Sequence, residues 1–293
     1  MAEILNVVLP AFVVILIGYV FGKVRKTANI TPLVDIAFYI GAPALTFVSM
    51  LAKKIVLFDA GKIWAASLII MFGCGIVGWI VFRLLKQKHS GLYVAIAIMN
   101  TVNLPFPIIY LAYGAKGLMA ATLFFIPNVI ILYSLGIFIV AGKQWKDGIK
   151  EIFKVPVFYA AIIGLVLNLL EITPPELVMN TLDLIALMAI PLVLIILGHN
   201  LSKVRLASLP TTFLASFIRV GVGLALGFLS VSIFNLEGVF RSVVILDSAM
   251  PSAVNAAIIA TKYDNEADLV SSVVLITTLM SLVSIPFLLN MLG

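Results

Sequence analysis

Two stretches hold most of the polar side chains that sit inside apolar runs. The first is MNTVNLPFP, residues 99–107, and the second is LDSAMPSAVNAA, residues 246–257. Asn100, Thr101 and Asn103 precede Pro105, while Asp247 and Ser248 precede Pro251, with Ser252 and Asn255 behind it. Amides and hydroxyls at this spacing form neither a nucleophile with its base nor a metal shell. They form a cluster of hydrogen-bonding groups beside a helix break. A proline removes a backbone donor and clashes with the carbonyl four residues back. In an apolar setting the freed groups must find partners or line a cavity. A half-helix that restarts after the break presents free N–H groups and a partial positive charge, which suit an anion. The structural alternative is a pair of proline kinks whose polar neighbours only satisfy freed backbone.

The elements that carry these stretches follow from composition. Of 293 residues, 63% are hydrophobic and 11% charged, against about 25% charged in a soluble domain. Such a chain is an all-α polytopic membrane protein. Its net charge of +6 is scattered between apolar runs, so it presents no continuous basic face for nucleic acid. Cys74 is the sole cysteine, which excludes an intramolecular disulfide. His89 and His199 belong to no HExxH motif, so no metal and no cofactor is expected, and no convergent catalytic set argues for an enzyme.

A spanning helix needs about 20 apolar residues. Ten runs qualify, at 4–22, 32–52, 63–83, 91–113, 117–141, 155–171, 177–199, 208–234, 238–261 and 267–291. The first lacks the basic leader and small-residue cleavage site of a signal peptide and is read as a retained helix. The loops after the odd-numbered runs hold 13 Lys and Arg, and those after the even-numbered runs hold 5. The odd loops are therefore expected in the cytoplasm. Both termini then lie outside, in a multi-pass protein of the cell membrane. The most basic loop, 143–154, divides the chain into 1–142 and 155–293.

The two halves resemble each other. LPAFVVILIGYVFG (9–22) aligns with VPVFYAAIIGLVLN (155–168) at an offset of 146, matching Pro10 to Pro156 and Gly18 to Gly164. In the next run Asp35 matches Asp183 and Pro43 matches Pro191 at an offset of 148. Five runs per copy is an odd number, so the second copy crosses the membrane inverted. Inverted repeats with discontinuous helices at mid-depth are a transporter architecture. The fourth and ninth runs, each broken by proline, are expected to cross at their unwound points.

PALTF (43–47), NTVNLP (100–105), AIPLVLIILGHNL (189–201) and AMPSAVNAAIIATKYDNEADLVSSVVLITTLMSLVSIP (249–286) resemble the auxin efflux carrier family, which includes plant PIN proteins and bacterial malate and malonate permeases. The resemblance spans the chain. It implies ten helices in two inverted five-helix repeats, with runs 1, 2, 6 and 7 as a dimerising scaffold. Runs 3–5 and 8–10 would form a transport domain that moves like an elevator. It implies a small organic anion as substrate. The short central loop is like that of the prokaryotic members, not the plant carriers. A sodium-coupled symporter of the bile-acid type, built on the same crossed plan, is the alternative.

Two charges lie deep in the second half. Asp247 is in the ninth run and Arg219 in the eighth. An intramembrane charge calls for a partner or a function. One reading is an Asp247–Arg219 ion pair. The other has Arg219 assisting the anion, or Asp247 taking up the coupling ion, H+ or Na+. Asp35 and Asp183 suit either the dipole near a helix N-terminus or a support site for substrate. His199 and Asn200 are expected to cap the seventh run or sit at an interface. The serines and threonines of the tenth run are expected to bond back to backbone.

Overall fold

The computed structural model describes residues 2–141, 154–204 and 206–292. Almost the whole basic linker expected at 143–154 lies outside these residues. Eleven helices organise the described chain: α1 (Ala2–Val24), α2 (Thr31–Leu51), α3 (Leu57–Leu84), α4 (Gly91–Ala97), α5 (Pro105–Ala141), α6 (Pro156–Leu169), α7 (Glu176–Ser202), α8 (Leu209–Phe234), α9 (Gly238–Ser248), α10 (Val254–Lys262) and α11 (Ala267–Leu292). Among the described residues there is no β-strand. Six helical segments, α2, α3, α5, α7, α8 and α11, are long and apolar enough to cross a membrane. Helices α1 and α6 are shorter apolar helices.

The boundaries have local causes. Prolines stand in the first turns of α2, α5, α6 and α8, where the missing N–H would be unpaired anyway and φ is already helical. Within α5 the helix is interrupted at Gly114, whose φ of 61° is left-handed and is available to glycine without a Cβ clash. The expected break between the fourth and fifth runs falls there. Wide π-helical turns interrupt α2 at Ala37–Gly41, α5 at Leu132–Gly136 and α8 at Ile218–Val222. Such turns shift the side chains that follow them to a new face, and they recur at functional sites.

Helix α1 packs along α7, and α2 packs along α6 and against α7. Helices α3, α4, α5, α8 and α9 pack on one another, and α11 lies against α8 and α10. One contact occurs twice. A Cβ on Gly18 of α1 would lie 2.2 Å from the Ile195 carbonyl oxygen of α7. A Cβ on Gly164 of α6 would lie 2.7 Å from Met50 and 3.3 Å from the Phe47 carbonyl oxygen of α2. Gly18 and Gly164 stand 146 residues apart, and Phe47 and Ile195 stand 148 apart, the two offsets found in the sequence.

Polar links join loops at each end. Lys54, before α3, pairs with Glu171, before α7. Glu266, just ahead of α11, caps α4: its carboxylate accepts the Ser90 and Leu92 N–H groups at 3.0 and 3.1 Å and meets His89 Nδ1 at 2.5 Å. Asn265 adds bonds from Gly91 N–H and to the Val140 carbonyl at the end of α5. Each link joins two loops that the Lys and Arg count assigns to the same side.

Burial pushes the Glu266 carboxyl up, but the hydrogen bonds from His89, Ser90 and Leu92 outweigh it and hold its pKa below the ordinary 4.5. A depressed carboxylate contributes stability that is present above its unfolded pKa and is lost as pH falls through the folded value. Glu266→Gln therefore lowers the melting temperature in detergent at pH 7, at a cost of about 1 kcal/mol, typical of a lost helix cap. The gap to the parent protein narrows as the pH is taken below 4.5. A gap that stays constant with pH would exclude the charged cap.

Candidate substrate site at the helix crossing

Helix α4 stops at Ala97 and α5 starts at Pro105, while α9 stops at Ser248 and α10 starts at Val254. The two unwound stretches meet. Met99 and Ser252 form an antiparallel bridge. Asn100 N–H donates to the Pro251 carbonyl at 2.7 Å, and Ala253 N–H donates to the Ile98 carbonyl at 3.1 Å. Each break thus supplies the partners that the other lacks. Ser252 fastens the crossing further, donating its hydroxyl to the Ala95 carbonyl at 2.5 Å and its N–H to Thr277 Oγ1 at 3.1 Å.

The C-termini of α4 and α9 leave carbonyls without intrahelical partners and carry partial negative charge. Arg219, fully buried on the π turn of α8, answers both. Its Nη1 donates to the Ile96 and Ala97 carbonyls, each at 3.2 Å, and its Nη2 to the Ser248 carbonyl at 2.6 Å. A planar guanidinium has enough fixed donors to hold three carbonyls at once. Gly223 gives it room, since a Cβ there would lie 2.1 Å from Nη2.

Of the two readings of the deep charges, the Asp247–Arg219 ion pair does not form. Asp247 is fully buried, yet neither of its carboxyl oxygens has a hydrogen-bond partner among the described residues. Ser248 and Asp247 are neighbours on α9, so their side chains leave the helix about 100° apart. The guanidinium is committed to the backbone at the end of that helix instead.

A cavity of about 130 Å³ opens beside the crossing. One wall is the crossing itself with α5 and α10, and the other comes from α2, α7 and the start of α6. Asn100, Thr101, Asn103 and Asn255 line it, as the sequence led us to expect. Asn128, Tyr133 and Asn200 line it too, and sequence reasoning missed them. Asn128 follows Pro127 in an otherwise apolar stretch, FFIPNVII, and that isolation is the signal that could have found it. Asn200 faces the cavity rather than capping α7, whereas His199 is buried with neither ring nitrogen paired. Among the described residues, no Asp, Glu, Lys, Arg or His lines the cavity.

The other expected site residues stand elsewhere. Ser248 donates to the Ile245 carbonyl at 2.7 Å, and Ser252 points at α4, so both hydroxyls hold backbone and neither lines the cavity. Pro105 opens α5, but that turn offers little to an anion. Pro105 and Pro107 have no N–H, and those of Phe106 and Ile108 bond to Val102 and Leu104. Pro251 lies inside the bridge, three residues before α10 begins. It is α10 that presents free donors: the Val254 and Asn255 N–H groups have no partner among the described residues, and both residues line the cavity. Asn100 Oδ1 accepts from Val102 and Asn103 N–H, while Asn100 Nδ2 and Asn128 Nδ2 have no partner among the described residues. Asp35 and Asp183 are exposed, and neither lines the cavity. Asp183 lies two turns into α7, beyond the reach of the N-terminal dipole, and Glu176 holds the first turn instead. In α11, Thr277, Thr278 and Ser281 bond back to backbone as expected, and Ser284 Oγ is unpaired.

A family model described as a membrane transport protein matches residues 3–155 and 146–289. The chain belongs to the auxin efflux carrier, or PIN-like, family. It is 26% identical to an uncharacterized transporter of Methanothermobacter thermautotrophicus, over 95% of each chain. It is likewise 26% identical to an uncharacterized transporter of Methanocaldococcus jannaschii, over 96% of each. In a family of multi-pass membrane transport proteins, the buried breaks of α4–α5 and α9–α10 have no solvent to satisfy them, and the clamp by Arg219 becomes a condition of folding.

Arg219→Ala in this PIN-like carrier bares three buried carbonyls, at about 1–3 kcal/mol each. The variant is expected to lose most of its monodisperse peak in detergent size-exclusion chromatography. Arg219→Lys, a point charge without the planar fork, retains part of it. An alanine variant as stable as the parent would remove the clamp from the account.

Proposed function

We propose that this carrier is a secondary transporter of small organic anions, mono- or dicarboxylates or auxin-like acids, and that it holds them at the crossing of α4–α5 and α9–α10. The observation that carries this reading is the cavity's set of neutral donors without partners among the described residues. Asn100 Nδ2, Asn128 Nδ2 and the Val254 and Asn255 N–H groups are unpaired at one place, where no acidic lining residue among those described repels a carboxylate. Arg219 places a full positive charge behind the crossing, with no carboxylate bound to it. An anion held by dipoles and a nearby charge requires no buried counter-ion in contact with it.

The reading takes α1, α2, α3, α4 with α5 up to Gly114, the rest of α5, α6, α7, α8, α9 with α10, and α11 as ten crossings in two inverted repeats. The twice-occurring contact of Gly18 with α7 and Gly164 with α2 supports the repeat. Helices α1, α2, α6 and α7 act as a scaffold that pairs with a second copy, and α3–α5 with α8–α11 move as the transport domain. The cavity lies between these two groups, which suits an elevator motion that carries the site past the scaffold. The Lys and Arg distribution supports an orientation with both termini outside the cell membrane. Asp247, buried and unpartnered, serves as the proton carrier that couples the cycle.

The test is uptake of labelled malonate, malate and indole-3-acetate into proteoliposomes, under proton and sodium gradients imposed separately. Saturable, proton-driven uptake of at least one acid is expected. Asn100→Ala and Asn128→Ala each raise KM about tenfold or more, as for a hydrogen bond lost to a charged group. Asp247→Asn makes the rate insensitive to pH. Drive by sodium alone would favour the bile-acid-type symporter, and absence of saturable uptake of any acid would sink the anion reading.

A further inference from the structure

A second cavity, of about 230 Å³, lies beside the end of α4 and shares no lining residue with the first. It is a groove between α3, α4 and α5, walled by Phe72, Ile76, Trp79, Val94, Leu135 and Ile139. Five of these six are exposed on the protein surface. The groove runs along α3 from Met71 to Trp79 and along α5 from Ile131 to Ile139, about 12 Å on each helix at 1.5 Å per residue. Two glycines open it. Gly75 on α3 and Gly136, at the end of the α5 π turn, withhold side chains that would fill its floor. A lone apolar cleft on a membrane-facing surface would be filled by lipid tails of any kind, but this one has a polar signature at one end. Trp79 lines the groove, and Arg83, one turn further along α3, stacks on the Trp79 ring at 5.0 Å. Lys86 and Lys88 follow, all three cations are exposed, and the 83–88 stretch holds no acid. Tryptophan and basic residues at the end of a spanning helix mark the headgroup level.

We infer that this groove is a binding site for one anionic phospholipid, with an acyl chain lying between α3 and α5 and the phosphate against Arg83, Lys86 and Lys88. The groove reaches the back of the substrate site. Its floor includes Ala97 and Ile98. The Ala97 carbonyl accepts from Arg219, and the Ile98 carbonyl accepts from Ala253 across the crossing. A chain seated there packs against the residues whose backbone holds the two broken helices together. Headgroup supply in the membrane thereby acts on the crossing through Ala97 and Ile98, which do not line the first cavity. The inference rests on membrane embedding alone and not on the identity of the transported anion.

Trp79 reports on the site directly. The chain has three tryptophans, so Trp64→Phe with Trp145→Phe leaves Trp79 as the sole indole. The purified full chain is reconstituted in phosphatidylcholine vesicles that contain increasing fractions of phosphatidylglycerol brominated on its acyl chains, and then with the bromine on phosphatidylcholine instead. Bromine in contact with the indole quenches it. Brominated phosphatidylglycerol is expected to quench at about fivefold lower mole fraction, on the scale of one basic residue acting on an anionic lipid. Arg83→Gln with Lys86→Gln and Lys88→Gln abolishes the preference and leaves the groove intact. Gly136→Leu weakens quenching by both lipids, and it is tolerable because a Cβ there has no neighbour closer than 3.5 Å. Equal quenching by the two lipids would overturn the inference, as would a preference that survives removal of the three charges. So would quenching by neither lipid, the result expected if a second copy of the chain covers the groove. The readout needs no transport, so its outcome is separate from that of the uptake test.

Discussion

A polypeptide that unwinds where there is no water must satisfy its own backbone. Two helices break at the same place here, and each break solves half of the other's problem. Asn100 N–H and Ala253 N–H bond across to Pro251 and Ile98, in the manner of a strand pair one bridge long. What the bridge cannot reach are the carbonyls at the ends of α4 and α9. Arg219 takes Ile96, Ala97 and Ser248 together, so a single side chain closes two helix termini. The position of the cavity beside the crossing and the orientation of α10 follow from this closure. If the crossing opened, α10 would lose the anchor that aims its free N–H groups at the cavity.

The wide turns belong to the same construction. Arg219 sits on the π turn of α8. The π turn of α2 contributes Ala37 and Phe38 to the cavity wall, and that of α5 contributes Leu132 and Tyr133. The α5 turn also ends on Gly136, on the floor of the lipid-facing groove. A regular α-helix of these sequences would present different faces at each of the three places. The three wide turns therefore gather around the crossing.

Much of this was legible in the sequence, for identifiable reasons. Long apolar runs separated by Lys and Arg give the helices, because hydrocarbon admits little else. The matched prolines and asparagines gave the breaks, and Asn100, Asn103 and Asn255 do line the cavity. Hydrogen bonds of direction were not legible. Ser252 looked like a ligand because it stands beside Pro251, but its hydroxyl turns toward Ala95. Asp247 and Arg219 looked like a pair because they are the two deep charges, and nothing in the sequence shows that helix ends compete for the guanidinium. Asn128 lies beyond the Gly114 break of α5 and Asn200 on α7, and only the packing of these helices brings them to the crossing.

The separation of charge from the cavity bears on how a carrier of anions can work. A guanidinium in contact with a carboxylate in a dry site is difficult to part from it, and a site that cannot release its cargo does not transport. In this chain the cation is spent on backbone carbonyls, and the cavity offers amide and N–H dipoles. The positive charge is then felt through the crossing, as a potential that favours an anion without a bond to it. The same arrangement holds the charge in place when the cavity is empty, since its three carbonyl partners remain. Under the proposed anion reading, affinity for the cargo and integrity of the fold draw on one guanidinium in two ways: the fold through its N–H bonds, the anion through its field.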